Sequence, residues 1–211
     1  HVRSRRQRQM CIRDSMEGTL TPEIWEQVAH NTGIEDFNKT TRDIPSYSEL
    51  MDFRLNLMQE HDLKLSDIQS AAAQLELLPG ALDFLNRIRQ NFQVVILSDT
   101  FHEIASPLME KLGYPLLLCH NLSVADDGSI TGYKLRHETA KKQAILGFQA
   151  MGYRCLAAGD SYNDIQMFEV AEKGFFINAP EKISESHPDI LAFDNYNDLE
   201  EAFKEHSVFV S

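Results

Sequence analysis

With 211 residues, 43% of them apolar, the chain can bury a core of its own, as one domain with an insertion or as two small ones. A formal charge of −12 argues against a nucleic-acid partner or an anionic membrane surface, and no apolar run approaches the roughly 20 residues that span a bilayer. Cys11, Cys119 and Cys155 are widely spaced and show no metal-binding rhythm, so a soluble, cytoplasmic protein without structural disulfides is expected.

The amino end differs from the rest. Residues 1 to 13 hold five arginines and no acid, which leaves the remainder with 15 basic against 32 acidic residues, a net of −17. A basic arm or presequence is one reading, although the apolar face of an amphipathic transit peptide is missing. The other is that Met10-Cys11-Ile12-Arg13-Asp14-Ser15 translates a transposon-end sequencing adaptor, ATG TGT ATA AGA GAC AG, joined to a gene fragment, so that residues 1 to 15 are not native.

Along the body, residues 23 to 37, 47 to 60 and 66 to 77 read as three helices bounded by Pro22, Pro45 and Pro79, with Ser66 as an N-cap. Then come a helix over 81 to 90, a strand over 93 to 97, a helix over 102 to 112 and a strand over 116 to 119. Residues 121 to 137 alternate around Asp127-Gly128 and Gly132 and read as a hairpin. A helix over 139 to 151, a strand over 154 to 158, an acidic turn with its helix and a strand over 174 to 178 follow. Helices alternating with apolar strands imply an α/β fold with a doubly wound parallel sheet. The leading three helices do not fit that alternation and are assigned to an inserted cap, residues 22 to 78, on a core of 16 to 21 and 79 to 211.

Three turns carry chemistry. In Gly159-Asp160-Ser161-Tyr162-Asn163-Asp164 a glycine turn at a strand exit bears two acids four residues apart, which suits a hard cation such as Mg²⁺ as well as it suits a helix cap. Ser98-Asp99-Thr100 repeats that geometry: Ser98 can donate to a phosphate oxygen, or Ser98 or Asp99 can simply cap the next helix. Parallel strands deliver their carboxyl ends to one crevice, so the two turns can meet. The third turn is Glu17-Gly18-Thr19-Leu20-Thr21-Pro22, before the helical block.

These turns, in this order and with a lysine near 141, resemble the four motifs of haloacid-dehalogenase-type phosphotransferases. Pro22-Glu23-Ile24-Trp25, Thr40-Thr41-Arg42-Asp43-Ile44-Pro45, Ile96 to Phe101 and Ala157 to Asp164 look like the phosphoserine phosphatase branch. They look most like its bifunctional enzymes, which also move phosphate from phosphoserine to homoserine. The resemblance spans residue 16 to the carboxyl end. It implies a Mg²⁺-dependent enzyme that hydrolyses O-phosphoserine through an aspartyl-phosphate, possesses a helical cap, and accepts homoserine as an alternative to water. Glu17 takes the position of the acid that protonates the leaving alkoxide and later activates water. Ser98, Asp99 and Asn163 fall among the substrate-binding positions. Lys141, preferred to Lys142 because it follows the small Ala140, would neutralise phosphoryl charge. Asp160 is the expected Mg²⁺ ligand, with Glu17 and Asp164 completing the metal group or Asp164 orienting it. Glu23 resembles the carboxylate that grips the substrate ammonium, and Arg54 the arginine that pairs with its carboxylate.

The nucleophile departs from the family. Two residues before Glu17 stands Ser15, where the pattern requires Asp, and Asp14 is one position out of register. The adaptor accounts for this, because its trailing AG converts an Asp codon to AGT or AGC, and this literal chain is then expected to be nearly inactive. Two alternatives stand beside the enzyme reading: a phosphatase for another small phosphate such as a phosphosugar, and a regulatory domain that binds Mg²⁺ and phosphate without turnover. Glu23 and Arg54 count against the first and the cap against the second. His30, His61, His102, His120 and His137 share no spacing and read as solvated, while Trp25 and Phe53 read as cap core. The sequence assigns no oligomeric state.

Overall fold

The structure, a computed structural model, describes the backbone of residues 9–14 and all of residues 16–207. Its strands are β1 (Gln9–Asp14), β2 (Gln93–Phe101), β3 (Leu116–Val124), β4 (Ile130–Lys134), β5 (Arg154–Gly159), β6 (Lys173–Ile177) and β7 (Leu191–Phe193). They form one sheet in the order β4-β3-β2-β1-β5-β6-β7. Every pairing is parallel except β3 with β4, which is the expected hairpin.

The central slot belongs to β1, paired with β2 from Met10 opposite Gln93 to Asp14 opposite Leu97, and with β5 on its other side. A core beginning at residue 16 is therefore too short, and the sheet starts at Gln9. Ladder hydrogen bonds use backbone groups that any non-proline residue supplies, so the slot is filled even by a segment carrying Arg13 and Asp14. Residue 15, expected at the nucleophile position, lies outside the described residues.

The helices are α1 (Ile24–Thr32), α2 (Tyr47–Glu60), α3 (Leu65–Gln74), α4 (Ala81–Arg89), α5 (His102–Lys111), α6 (Ala140–Ala150), α7 (Ile165–Phe168), α8 (Glu181–Ser186) and α9 (Tyr196–Glu205). The helix expected over 23 to 37 is broken at Gly33 and resumes only as a short 3-10 turn, Glu35–Asn38. Ser66 is not a cap: the N-cap position is Lys64, whose N–H donates to Asp67 Oδ2 at 2.7 Å. No helix among the described residues is long and apolar enough to cross a membrane.

Alternation along β5 shows how the layers form. Cys155 and Ala157 face α6 and α7 through Ala144, Ile145, Met167 and Phe168, whereas Leu156 and Ala158 face α4 and α9 through Phe84, Ile88, Leu199 and Phe203. Cys119 and Cys155 are free and buried. A third apolar cluster joins β2 and α5 to α1, α2 and α3, seating the cap. Polar ties reinforce it: Lys64 Nζ reaches Ser129 Oγ at 2.7 Å beyond β3, the Leu65 N–H donates to the Gly128 carbonyl at 2.9 Å, and the Tyr47 hydroxyl donates to the Asp99 carbonyl at 2.6 Å.

The chain leaves β1, visits β2 and β3 on one side, and returns to β5 on the other. That reversal is a topological switch point, where strand ends open a crevice.

Candidate active site

Three strand exits build the floor of that crevice. After β1, residues 16 to 21 fold into a tight turn in which Leu20 and Thr21 N–H both donate to the Met16 carbonyl at 2.9 Å. Gly18 sits at φ +77°, and a Cβ there would lie 2.6 Å from Asp160 Oδ2, so the first turn and the acidic turn meet only because this residue is glycine.

After Leu97 the pairing of β2 with β3 shifts register, and the strand continues through Ser98, Asp99 and Thr100 to Phe101. Neither Ser98 nor Asp99 caps α5, whose N-cap position is Phe101 without any side-chain bond. The irregularity leaves all three polar residues lining the crevice. After β5 the chain forms a 3-10 turn, Tyr162–Asp164, ahead of α7. Asp164 closes that turn: its Oδ2 accepts from the Asp160 and Ser161 N–H groups at 2.9 Å each and from Ser161 Oγ at 3.1 Å. Gly159 makes room, because a Cβ there would collide with the Asp164 carboxylate.

Lys141, at the start of α6, is buried with Nζ 2.9 Å from Asp99 Oδ2 and 3.0 Å from Asp164 Oδ1. Lys142 lies 3.5 Å from Glu169 on the outside. Both oxygens of Asp164 are thus engaged, which fits a group that orients the site better than an open metal ligand. Burial pushes its carboxyl up, and the Ser161 and Asp160 N–H donors pull it back. Burial also opposes charge on Asp99, but Lys141 and His120 outweigh it and hold that carboxyl well below the usual range.

His120 is a correction. It is buried rather than solvated, because β3 runs on past Cys119 to Val124. Its Nδ1 accepts from the Arg136 N–H at 3.1 Å, which places the ring proton on Nε2, 3.7 Å from Asp99 Oδ1. A polar residue continuing an apolar strand beside a charged turn was the available signal.

Asp160 behaves differently from Asp164. Its Oδ1 is buried with no hydrogen-bond partner among the described residues, and burial raises the carboxyl to about 6. An open, buried carboxylate oxygen at a strand exit fits a hard cation. Among the described residues no set of three His, Cys, Asp or Glu side chains surrounds one point, so a cation here would take its other ligands from elsewhere.

The cap supplies the roof. Glu17 and Glu23 are close enough to share a hydrogen bond, and burial followed by the Glu23 charge raises the Glu17 carboxyl well above its ordinary value, against the lowering by Arg54 and Thr100. Arg54 is buried with Nη2 donating to the Lys39 carbonyl at 2.9 Å, while its Nε has no partner among the described residues. Glu17, Glu23, Arg54, Ser98, Asp99, Lys141, Asp160 and Asn163 all line one cavity of about 160 Å³, as does Trp25. Asn163 is the exposed member of that group. The expected residues are therefore brought together, except Asp164, which stands behind the wall, and residue 15.

A cleft of acids and a buried lysine at the switch point of a doubly wound sheet, under a helical cap, fits a doubly wound α/β enzyme that handles phosphate esters. Residues 16–172 match the family model described as haloacid dehalogenase-like hydrolase, and the chain belongs to that family. It is 47% identical over 188 residues to phosphoserine phosphatase ThrH of Pseudomonas aeruginosa, covering 89% of this chain and 92% of that protein. It is 45% identical to a phosphoserine phosphatase of Pseudomonas syringae pv. tomato, covering 89% of this chain and 79% of the other. The fold matches the apo crystal structure of a phosphoserine phosphatase with TM-score 0.75 at 22% identity, over 93% and 98% of the two chains. A phospho-aspartyl intermediate analogue of phosphoserine phosphatase matches with TM-score 0.76 at 22% identity, over 94% and 99%. At those identities the structures speak for the fold alone.

Proposed function

We propose that the cleft is built to hydrolyse O-phosphoserine, and that this chain carries every part of the machinery except the nucleophile. One observation carries the reading. The two buried side-chain polar atoms without a partner among the described residues, Asp160 Oδ1 and Arg54 Nε, both belong to residues lining the same cavity. One is an acceptor suited to Mg²⁺ and the other a donor suited to a carboxylate, and a phosphorylated amino acid with its metal satisfies both. A sugar phosphate offers the arginine only neutral hydroxyl acceptors, without the paired charge of a carboxylate. Glu23, whose charge acts on Arg54, supplies an acid for an ammonium group.

Asp160 would hold the Mg²⁺, with Glu17 beside it and Asp164 fixing the turn. When bound, the ion neutralises and orients the phosphoryl group. Lys141, fixed between two carboxylates, offers a positive charge to the equatorial oxygens, Ser98 donates its hydroxyl and Asn163 closes the side. In a chain with Asp at position 15, its carboxylate attacks phosphorus as the serine P–O bond breaks, and the departing alkoxide takes the proton that the raised Glu17 carboxyl holds. Glu17 then receives a proton from water, which attacks phosphorus and releases phosphate and the free aspartate. Homoserine can replace water in that second step, because its hydroxyl needs the same proton acceptor. With Ser15 in place the first step fails.

The test is a chain with an apolar first strand and Ser15→Asp, assayed with phosphoserine, phosphothreonine and sugar phosphates, with and without homoserine. Preference for phosphoserine supports the reading, and preference for a sugar phosphate refutes it.

A further inference from the structure

Arg54 is a long side chain buried in a place with little to hold it. Among the described residues its one hydrogen bond is the 2.9 Å contact from Nη2 to the Lys39 carbonyl, and Nε makes none. Burial lowers its pKa, with Glu17, Tyr47 and Glu23 acting in the opposite direction. A guanidinium so placed has rotamer freedom to lose and little polar restraint to fix it.

An aromatic ring restrains it instead. The guanidinium carbon lies 4.6 Å from the centre of the Trp25 ring, and Trp25 is itself stacked on Phe37 at 5.7 Å and 18°. Phe37 is fully buried and Trp25 nearly so. A three-layer stack, drawn from the 3-10 turn, α1 and α2, thus runs from the cap core to the cavity and ends in the guanidinium. With its carbon held over the indole, the guanidinium has Nε left to offer a ligand, and a guanidinium suits a carboxylate.

We propose that Trp25 is a positioning residue that holds Arg54 for the carboxylate of the substrate, and so sets the preference for amino-acid phosphates. The inference rests on the proposed phosphoserine reading. It changes the place of Trp25, which sequence alone assigns to the cap core: the residue serves core and cavity together. A purely packing role would weaken all phosphate esters alike when the ring is lost. A positioning role weakens only those that present a carboxylate.

The experiment is a pair of calorimetric titrations in Mg²⁺ buffer, with O-phosphoserine and with O-phosphoethanolamine, which keeps the phosphate and ammonium but lacks the carboxylate. Ser15 keeps the chain from consuming either ligand. Partial unfolding of a variant scales both apparent affinities together, so the ratio of the two is the readout. Trp25→Leu is expected to lower the phosphoserine to phosphoethanolamine affinity ratio by about tenfold. Trp25→Phe, which keeps a ring with a weaker negative face, lowers it by roughly threefold. An unchanged ratio in both variants overturns the inference while leaving the phosphoserine reading intact. If the unaltered chain binds phosphoethanolamine as tightly as phosphoserine, Arg54 reads no carboxylate, and both fall.

Discussion

The floor and the roof of the cleft treat their polar groups in opposite ways. On the floor, Asp164 accepts from three donors of its own turn and faces Lys141, which in turn faces Asp99. On the roof, Arg54 Nε is left open, and Asp160, which projects from the floor toward that space, keeps Oδ1 open as well. Groups that satisfy one another set the shape of the site. Groups left unsatisfied in a buried place are the ones a ligand completes. On the proposed reading, two aspartates four residues apart have separate tasks, one structural and one directed at a ligand.

The largest effect that can break this contrast is the loss of Asp164. Asp164→Ala takes one carboxylate away from the buried Lys141 and orphans two N–H groups, at a cost of about 3–5 kcal/mol. A thermal melt should fall by roughly 6–20 °C, and a shift below about 2 °C would show that the floor is not self-supporting. Gly18→Ala comes next, because it combines a φ of +77° with a Cβ 2.6 Å from Asp160 Oδ2. It should destabilise by about 1–3 kcal/mol and weaken Mg²⁺ binding measured by calorimetry; normal metal affinity would place the cation away from Asp160.

Asp160→Asn should do the reverse of Asp164→Ala. A carboxyl raised to about 6 opposes folding once the pH passes its ordinary value near 4. The substitution therefore leaves stability nearly unchanged at pH 4 and raises it, by about 2–3 kcal/mol, as the pH climbs past 6. Denaturant melts across that range give the sign, and an Asn variant less stable above pH 6 would mean that Asp160 has a partner. The smallest effect concerns the metal itself. Protons and Mg²⁺ compete for Asp160, so affinity should tighten as the pH rises to about 6 and stay level above it. A titration series that continues to tighten well beyond pH 7 would assign the metal to another group.

Much of this was legible in the chain. The order of helices and strands, the hairpin around Asp127-Gly128 and the convergence of the turns at Ser98 and Gly159 follow from periodicity and from the rule that parallel strands share a carboxyl edge. The division of labour between Asp160 and Asp164 was not, since it depends on where Lys141 arrives from a helix 23 residues upstream. His120 was hidden for a similar reason: nothing local says that β3 extends far enough to bring it against Asp99. Helix α9 escaped although Asn195 caps it and Leu199, Ala202 and Phe203 keep helical spacing, because the acids between them dilute the apolar signal. The filling of the central slot by β1 also lay beyond side-chain patterning, as it rests on backbone pairing.

The most direct test compares phosphate release from O-phosphoserine by two chains side by side, this one and the same chain with an apolar first strand and Ser15→Asp. The account predicts no release above background from the first and rapid, Mg²⁺-dependent release from the second. Equal activity in both, or silence in the repaired chain, would contradict it.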